Sequence, residues 1–253
     1  MGFELYHSAY STCSQKVRIA LAEKGLPFTS REIDFAREEQ LAPEYLKLNP
    51  NGVVPTLVHD GQPVIDSSCI LEYLDEVVPA PPLAPRDALG RARMRAWLRY
   101  FEEVPTAAVR VPSFQDVFLP LLRKFQSPEV FDAGGARRPI RKGFYRKMNS
   151  GRGFSAEELE SSRAQLRQTV ERIDGALEEG PWLLGDQFTL AECCVAPLVD
   201  RMDDLGLSSL WGDQPLFAAW LARLRARASF GTAFYPGSRL SERPEFASVL
   251  ARR

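Results

Sequence analysis

The N-terminal stretch constrains the fold most, because a strand, a polar loop and a helix follow one another there. Alternating apolar residues indicate a strand over residues 3–6, and a polar loop covers residues 7–14. Over residues 15–25 apolar side chains recur at spacings of three and four, which is typical of an amphipathic helix that a glycine ends. A second alternating run, Phe28–Asp34, predicts another strand. Two strands joined through a helix form a βαβ unit, which implies parallel pairing and a right-handed crossover.

The loop places Ser11, Thr12 and Cys13 at the predicted start of the first helix. The first N–H groups of a helix lack partners and carry partial positive charge, so they stabilise an anion such as a thiolate. We interpret the loop as one that activates a thiol, either that of Cys13 or one brought by a ligand. The alternative is structural, because Ser and Thr are ordinary N-caps and a single Cys is often a small core residue.

A hairpin and a further helix follow. Apolar runs at 53–59 and 64–65 flank an Asp-Gly turn, which predicts a β-hairpin, and residues 38–48 before it read as one helix. Pro55 heads the first hairpin strand, where proline is tolerated and a cis bond after Val54 is compatible with the position. Asp66 begins the next helix, and the spacing predicts that Cys69 belongs to its apolar core.

The proline-rich segment Pro79–Pro85 divides the chain. We predict a domain at 1–79, a linker at 80–87 and a helical domain at 88–253. Prolines break the helix expected at 114–125, and the last clear helix is at 216–228, with a tail after it. We interpret the basic residues of 127–155 as a solvated insertion, in preference to a site for an anionic substrate. Thr189–Glu192 forms a capping box that opens an apolar helix, the predicted centre of the second domain.

Composition excludes several classes of function. The 253 residues carry a formal net charge of -1, so nothing favours nucleic acid or an anionic membrane surface. No apolar run is long enough to span a membrane, and no secretory signal is visible. Four cysteines without a Cys-x-x-Cys pair, together with two histidines, make a metal site unexpected. We therefore expect reduced thiols and a cytoplasmic location.

Three motifs in this order resemble the cytosolic glutathione transferase superfamily over nearly the whole chain. Ser11-x-Cys13 is similar to the loop of the zeta class and of the tetrachlorohydroquinone reductive dehalogenases. Asn49-Pro50 followed by Val54–Leu57 is similar to the family's cis-proline segment, and Asp66-Ser67 to its second helix start. The capping box matches too, although its last residue is usually Asp. The resemblance implies an α/β plus all-α fold: a thioredoxin-like βαβ-αββα domain followed by an all-helical domain.

The resemblance also implies glutathione as co-substrate, no metal, and a homodimer. It assigns glutathione binding to six residues: Ser11, Gln40, Val54, Pro55, Asp66 and Ser67. In that assignment Ser11 bonds the thiolate and the main chain of Val54 pairs with the cysteinyl part. Asp66 meets the γ-glutamyl ammonium, Ser67 meets the γ-glutamyl carboxylate, and Gln40 faces the glycyl end.

The function implied is attack of the glutathione thiol on a small hydrophobic electrophile, aromatic compounds included, with Ser11 and Cys13 as catalytic residues. Ser14 is a reserve candidate, because β-etherases of the superfamily align a serine there. Tyr10, Arg110 and Phe114 are expected in the electrophile pocket. The alternatives are a reductive dehalogenase, β-etherase or thiol-disulfide oxidoreductase that uses Cys13, or a non-catalytic glutathione-fold binding protein.

Overall fold

The N-terminal domain is built on a four-stranded mixed sheet. A computed structural model describes residues 2–121, 137–149 and 153–250. The sheet has the order β2-β1-β3-β4, and its strands are β1 (Phe3–His7), β2 (Thr29–Glu32), β3 (Thr56–His59) and β4 (Gln62–Ile65). β1 pairs in parallel with β2 and antiparallel with β3, and β3 pairs antiparallel with β4. This arrangement confirms the predicted βαβ unit and the hairpin.

Three helices accompany the sheet: α1 (Thr12–Glu23), α2 (Pro43–Leu48) and α3 (Ser67–Val77). Where one helix was predicted over 38–48, a 3₁₀ turn at Glu39–Leu41 precedes α2. Pro43 explains the break, because proline lacks an N–H and so favours the first position of a new helix.

Cys69 corrects a prediction, because its side chain is exposed and does not belong to the core. The buried face of α3 contains Ile70, Leu71 and Leu74, all fully inaccessible. With spacings of one, three and four, these residues define one face of the helix, and Cys69 lies outside it.

The rest of the described chain is helical and contains no named strand. Its helices are α4 (Ala88–Glu103), α5 (Pro105–Ser113), α6 (Lys142–Asn149), α7 (Ala156–Ala176), α8 (Leu190–Asp204), α9 (Pro215–Arg225), α10 (Ala228–Ala233) and α11 (Pro244–Leu250). α10 and α11 occupy what was predicted to be a tail. Across the described ranges, no helix combines the length and apolarity that a membrane crossing requires.

α8 forms the buried centre of this domain, as its apolar sequence predicts. Thr189 and Glu192 form the predicted capping box at its start. α1 packs against α8 and α10, so the first helix of the sheet domain lies against the helical domain. The linker is tied to the same place, because Leu190 N donates to Leu83 O at 2.8 Å.

The predicted kink after α5 takes the form of a π-helical turn. Pro112 lies inside α5, and the wide turn Phe114–Phe118 follows directly. Residues 122–125 of the helix predicted at 114–125, and much of the basic segment 127–155, lie outside the described residues. The described part of that segment contains α6.

Candidate active site

The start of α1 has the geometry expected of a thiolate-binding loop. Ser11 is the N-cap: its Oγ accepts the N–H of Ser14 at 3.3 Å, and its carbonyl accepts the N–H of Gln15 at 2.9 Å. Among the described residues, no acceptor takes the Ser11 hydroxyl hydrogen or the N–H groups of Thr12 and Cys13. These groups are therefore available to an anion placed at the positive end of the helix.

A cavity of about 620 Å³ lies directly against this helix start, between the two domains. From the sheet domain it is lined by Ser11, Thr12, Cys13, Gln40, Gly52 and Val54. From the helical domain it is lined by Arg110, Phe114, Phe118, Arg141, Tyr145 and Phe246, among others. One half of the wall is thus polar main chain and small side chains, and the other half is aromatic and cationic.

Seven of the residues singled out from the sequence meet at this cavity: Tyr10, Ser11, Cys13, Gln40, Val54, Arg110 and Phe114. Pro55, Asp66 and Ser67 do not line it. Asp66 has φ 72 and caps α3, because its Oδ1 accepts the N–H of Ser68 at 3.0 Å and that of Cys69 at 3.1 Å. Ser67 is buried. Roles for these three residues in binding a ligand stay predictions.

Two neighbouring side chains hydrogen-bond the main chain of the loop that precedes Pro55. Both the Tyr45 hydroxyl, at 2.6 Å, and the Asn49 amide, at 2.9 Å, donate to the carbonyl of Val53. The Val54–Pro55 bond is cis. Within the described ranges the peptide groups of Val54 make no hydrogen bond, so they remain available to an extended ligand.

Gly52 shapes the same loop. Its φ of +60 favours glycine, and a Cβ there would lie 2.9 Å from Leu41 Cδ2. Any larger residue at this position would therefore be strained by the backbone conformation and would require the Leu41 side chain to move.

Gln40 is buried at 1% exposure, yet its Oε1 has no hydrogen-bond partner among the described residues. A buried amide normally has partners, since leaving one unpaired costs free energy. Because Gln40 lines the cavity, a polar ligand group is the simplest partner for it.

Ser14, the reserve candidate, is placed differently from Ser11. Its side chain is fully buried, its Oγ accepts the N–H of Ser8 at 3.3 Å, and it does not line the cavity. The geometry favours Ser11 as the hydroxyl that meets a ligand.

Behind Cys13 lies a buried polar cluster. Lys16, fully buried, donates to Glu102 Oε1 at 2.5 Å, and the Ser68 hydroxyl donates to the same oxygen at 2.7 Å. Burial alone raises the pKa of Glu102, but the Lys16 charge and these hydrogen bonds outweigh it and lower the pKa below its ordinary value. Burial likewise raises the pKa of the neighbouring Cys194 thiol to about 12, so this thiol is inert.

Tyr10 lies in the cavity wall, where the sheet domain meets the helical domain. Burial raises the pKa of its phenol to about 12, so the ring is neutral at physiological pH. Its carbonyl accepts a hydrogen bond from Arg201 at 2.5 Å, and the buried Arg201 also pairs with Asp204 at 3.8 Å. Tyr10 is thereby fixed to α8 of the helical domain.

Part of the basic segment that was interpreted as a solvated insertion borders the cavity, although Arg137, Arg141 and Lys142 are exposed to solvent, as such an insertion would be. Arg138, Arg141 and Tyr145 line the cavity. The run of arginines was the available signal, but charge alone does not distinguish a site from a solvated face. Phe246 had no signal of its own, because its place depends on α11 folding back on the N-terminal loop. Within the described ranges, no group of His, Cys, Asp and Glu side chains is arranged to hold a metal ion.

Two family models match this chain, one in each domain. Residues 10–77 match the model of the glutathione S-transferase N-terminal domain, and residues 156–223 match that of its C-terminal domain, together more than half of the chain. The chain therefore belongs to the glutathione S-transferase family of enzymes.

Individual relatives agree with this family. Protein LigF of Sphingobium sp. strain SYK-6 is 28% identical over 247 residues, 94% of this chain and 95% of its own. The crystal structure of that beta-etherase superposes with a TM-score of 0.84 over 92% of this chain and 99% of its own. The tetrachloro-p-hydroquinone reductive dehalogenase of Sphingobium chlorophenolicum is 25% identical over 90% of this chain and 94% of its own.

A glutathione transferase from Burkholderia graminis has the same fold. It is 24% identical, with a TM-score of 0.71 over 92% of this chain and 87% of its own, and its structure holds two glutathione molecules per subunit.

Proposed function

We propose that this protein activates the thiol of glutathione at Ser11 for attack on a small hydrophobic electrophile, with glutathione as co-substrate. The observation that carries the proposal is the hydroxyl of Ser11, whose oxygen caps α1 while its hydrogen has no acceptor in the described chain. Donated to a bound thiolate, that hydrogen favours the ionised form and lowers the thiol pKa. The positive end of α1 acts in the same direction.

The binding roles follow from the same placement. The free peptide groups of Val54 and the unpaired amide of Gln40 border the cavity that Ser11 borders. An extended tripeptide can pair its cysteinyl main chain with Val54 and its glycyl end with Gln40. We assign the γ-glutamyl group to Asp66 and Ser67 at the start of α3, beyond the cavity as described, and Pro55 to the shape of the Val54 loop.

Titration of the thiolate absorbance of bound glutathione tests the role of Ser11. We expect a thiol pKa below the ordinary value of about 8.5 in the wild type. Because a hydrogen bond to a charged group contributes about 1.5–3 kcal/mol, Ser11→Ala should raise that pKa by about 1–2 units. Ser11→Thr should restore it. A wild-type complex that titrates near the free value would instead support a non-catalytic binding protein.

Ser155→Ala is the matched control. Ser155 is also a serine N-cap with a bonded backbone N–H, but it opens α7 and does not line the cavity. Its loss should leave the thiol pKa unchanged. An equal shift in both variants would mean that the effect comes from loosened helices.

Cys13 supports a second candidate function, the reductive cleavage of glutathione conjugates. It lines the cavity together with Arg110, and the buried Lys16 lies one helical turn further along α1. In this reaction the Cys13 thiolate attacks the glutathione sulfur of an aryl conjugate. The carbon–sulfur bond breaks, the aryl carbon takes up a proton, and a mixed disulfide remains. A second glutathione thiolate then releases glutathione disulfide and regenerates Cys13.

Cys13→Ser separates the two functions. If the main proposal is right, conjugation survives this change while release of glutathione from aryl conjugates is lost. A mixed disulfide should be detectable by mass spectrometry in the wild type alone. Loss of conjugation in Cys13→Ser, with Ser11→Ala active, would transfer the main role to Cys13.

We also propose that the protein is a homodimer and that it is located in the cytoplasm. Analytical sedimentation measures the oligomeric state, and cell fractionation measures the location.

A further inference from the structure

Arg110 is a cation in the cavity wall without an anionic partner among the described residues. It lies on α5, and its guanidinium carbon lies 5.8 Å from the centre of the Phe144 ring. No carboxylate of the described chain forms an ion pair with it. Burial, followed by the charge of Arg141, lowers the pKa of Arg110, which reflects how poorly this place tolerates unbalanced positive charge.

Three other arginines line the cavity, and two of them make contacts within the protein. Arg201 bonds the Tyr10 carbonyl and pairs with Asp204. Arg138 lies over the Tyr145 ring at 4.0 Å. Arg141 lines the cavity like Arg110, adopts φ 60, and also has no ion pair in the described chain. Arg110, Arg138 and Arg141 therefore bring three guanidinium groups without an ion pair in the described chain to the lining of this cavity, and Arg138 is the one that lies closest over a ring.

Glu102 does not neutralise them. It is near enough to favour the charged form of Arg110, but its carboxylate oxygen already accepts from Lys16 and Ser68. Its charge is matched by that of Lys16. The region around Arg110 and Arg141 thus keeps a net positive charge, with Arg110 partly buried and Arg141 exposed at the cavity. A charge that is partly removed from water is normally paired.

We propose that Arg110 and Arg141 bind an anionic group on the electrophile, so that the second substrate is an aromatic compound bearing a carboxylate or a similar anion. This inference rests on the proposed function for the reacting sulfur. Guanidinium groups suit such anions, because their planar N–H groups match two oxygens at once. Phe114, Phe118, Tyr145 and Phe246 supply an aromatic wall for the ring.

The position of Arg110 argues that this anion belongs to the electrophile and not to glutathione. Arg110 lines the same cavity as Ser11 and Cys13, and Cys13 is near enough to act on the pKa of Arg110, so we place Arg110 near the thiol end of the site. The glycyl end is assigned to Gln40 on the opposite, sheet-domain wall. A carboxylate of glutathione bound by Arg110 is the alternative, and the experiment distinguishes it.

The kinetic test compares 4-chloro-3-nitrobenzoate with its neutral amide, two aryl chlorides of similar shape, with each enzymatic rate divided by the uncatalysed rate of the same compound with glutathione. We expect kcat/KM with glutathione to be about tenfold or more higher for the benzoate, from a hydrogen-bonded charge pair. Arg110→Gln should remove this preference and leave the KM for glutathione nearly unchanged. Arg93→Gln, an exposed arginine that does not line the cavity, should keep the preference. A raised glutathione KM with an intact preference would overturn the proposal.

A binding test without glutathione keeps the inference separate from the proposed function. Calorimetric titration with 4-nitrobenzoate and with 4-nitrobenzamide needs no thiol chemistry. We expect the benzoate to bind about tenfold more tightly or better, and Arg110→Gln and Arg141→Gln each to reduce the difference. This result would stand even if the Ser11 titration failed. Equal affinities for the two compounds in the wild type would overturn the anion site whatever the Ser11 result.

Discussion

Lys16 Nζ lies 2.5 Å from Glu102 Oε1, and this ion pair joins α1 of the sheet domain to α4 of the helical domain. Lys16 is one helical turn from Cys13, on the same helix that presents Ser11. The pair therefore fixes the helix that carries the proposed thiol chemistry against the domain that supplies the aromatic wall. Ser68 adds a third element, because its hydroxyl bonds the same oxygen from α3.

Lys16→Met should lower the free energy of unfolding by about 3–5 kcal/mol, because it leaves the Glu102 carboxylate without its buried cation. The measurement is urea denaturation followed by tryptophan fluorescence. The double variant Lys16→Met/Glu102→Leu should recover most of the loss, since it removes both charges. A double variant as unstable as the single one would show that packing, and not the unpaired charge, sets the cost.

His7 should make the protein less stable in mild acid. Burial, followed by the charge of Arg18, lowers the pKa of His7 from 6.5 to about 4. Arg18 donates to Nδ1 at 3.1 Å, so the ring is neutral and its Nε2–H donates to Ser30 Oγ at 2.7 Å. The unfolded chain binds the proton more readily, so stability is full above pH 6.5 and falls as the pH drops toward 4.

The loss attributable to His7 is at most about 3 kcal/mol. Urea titrations at half-unit pH steps from 7.5 to 4 measure it. In His7→Gln the decline over this window should be shallower, while above pH 7 the two curves should run parallel. Parallel curves throughout the window would remove His7 as the cause.

Two substitutions of Asp66 can separate its role as a helix cap from its proposed role in binding glutathione. Asn caps a helix as well as Asp does, so Asp66→Asn should keep the bonds to Ser68 and Cys69 but remove the charge assigned to the γ-glutamyl ammonium. We expect a KM for glutathione about tenfold higher or more, with an unchanged melting temperature. Asp66→Ala should raise KM and also lower stability by about 1 kcal/mol. An unchanged KM in Asp66→Asn would contradict the assignment.

Thr189 tests the buried capping box of α8. Its hydroxyl accepts the N–H of Ala191 at 3.2 Å and donates to Glu192 at 2.8 Å, with both Thr189 and Glu192 inaccessible to solvent. Thr189→Ala should cost about 2 kcal/mol, the upper end for a lost cap, because the buried carboxylate also loses a donor. Ser155→Ala, at the exposed capping box of α7, should cost less by the same urea assay. Equal costs would mean that burial of the cap is immaterial.

Much of the fold could be predicted because local pattern and tertiary structure agree. The strand, loop and helix at the N-terminus, the Asp-Gly hairpin and the apolar α8 all follow from periodicity and capping residues. Cys69 could not be placed, because a shift of one residue in the apolar face changes which side chains are buried. That face is set by where Asp66, with its positive φ, begins the helix.

The sheet-domain side of the site was predictable from motifs, whereas on the opposite side Arg110 and Phe114 were expected in the pocket from their position alone. Ser11, Cys13 and Val54 come from short motifs that carry their own geometry. The opposite wall depends on contacts between distant residues, such as Phe144 packing edge-on against Phe114 with ring centres 4.8 Å apart. Nothing local in the sequence reports such a contact, so the part that Arg138 and Arg141 take in the cavity lining was not predicted.

The packing of Tyr10 has a consequence for how such a protein can diversify. Its ring lies 6.0 Å from that of Phe118 and 5.3 Å from that of Phe246, so neighbours of Ser11 touch a helix more than two hundred positions later in the chain. Exchanging residues on α11 or on the π-helical turn can therefore reshape the cavity without altering the helix start that we propose ionises the glutathione sulfur. The residues that shape the cavity for a substrate and the residues proposed to activate the thiol therefore lie on separate segments of the chain.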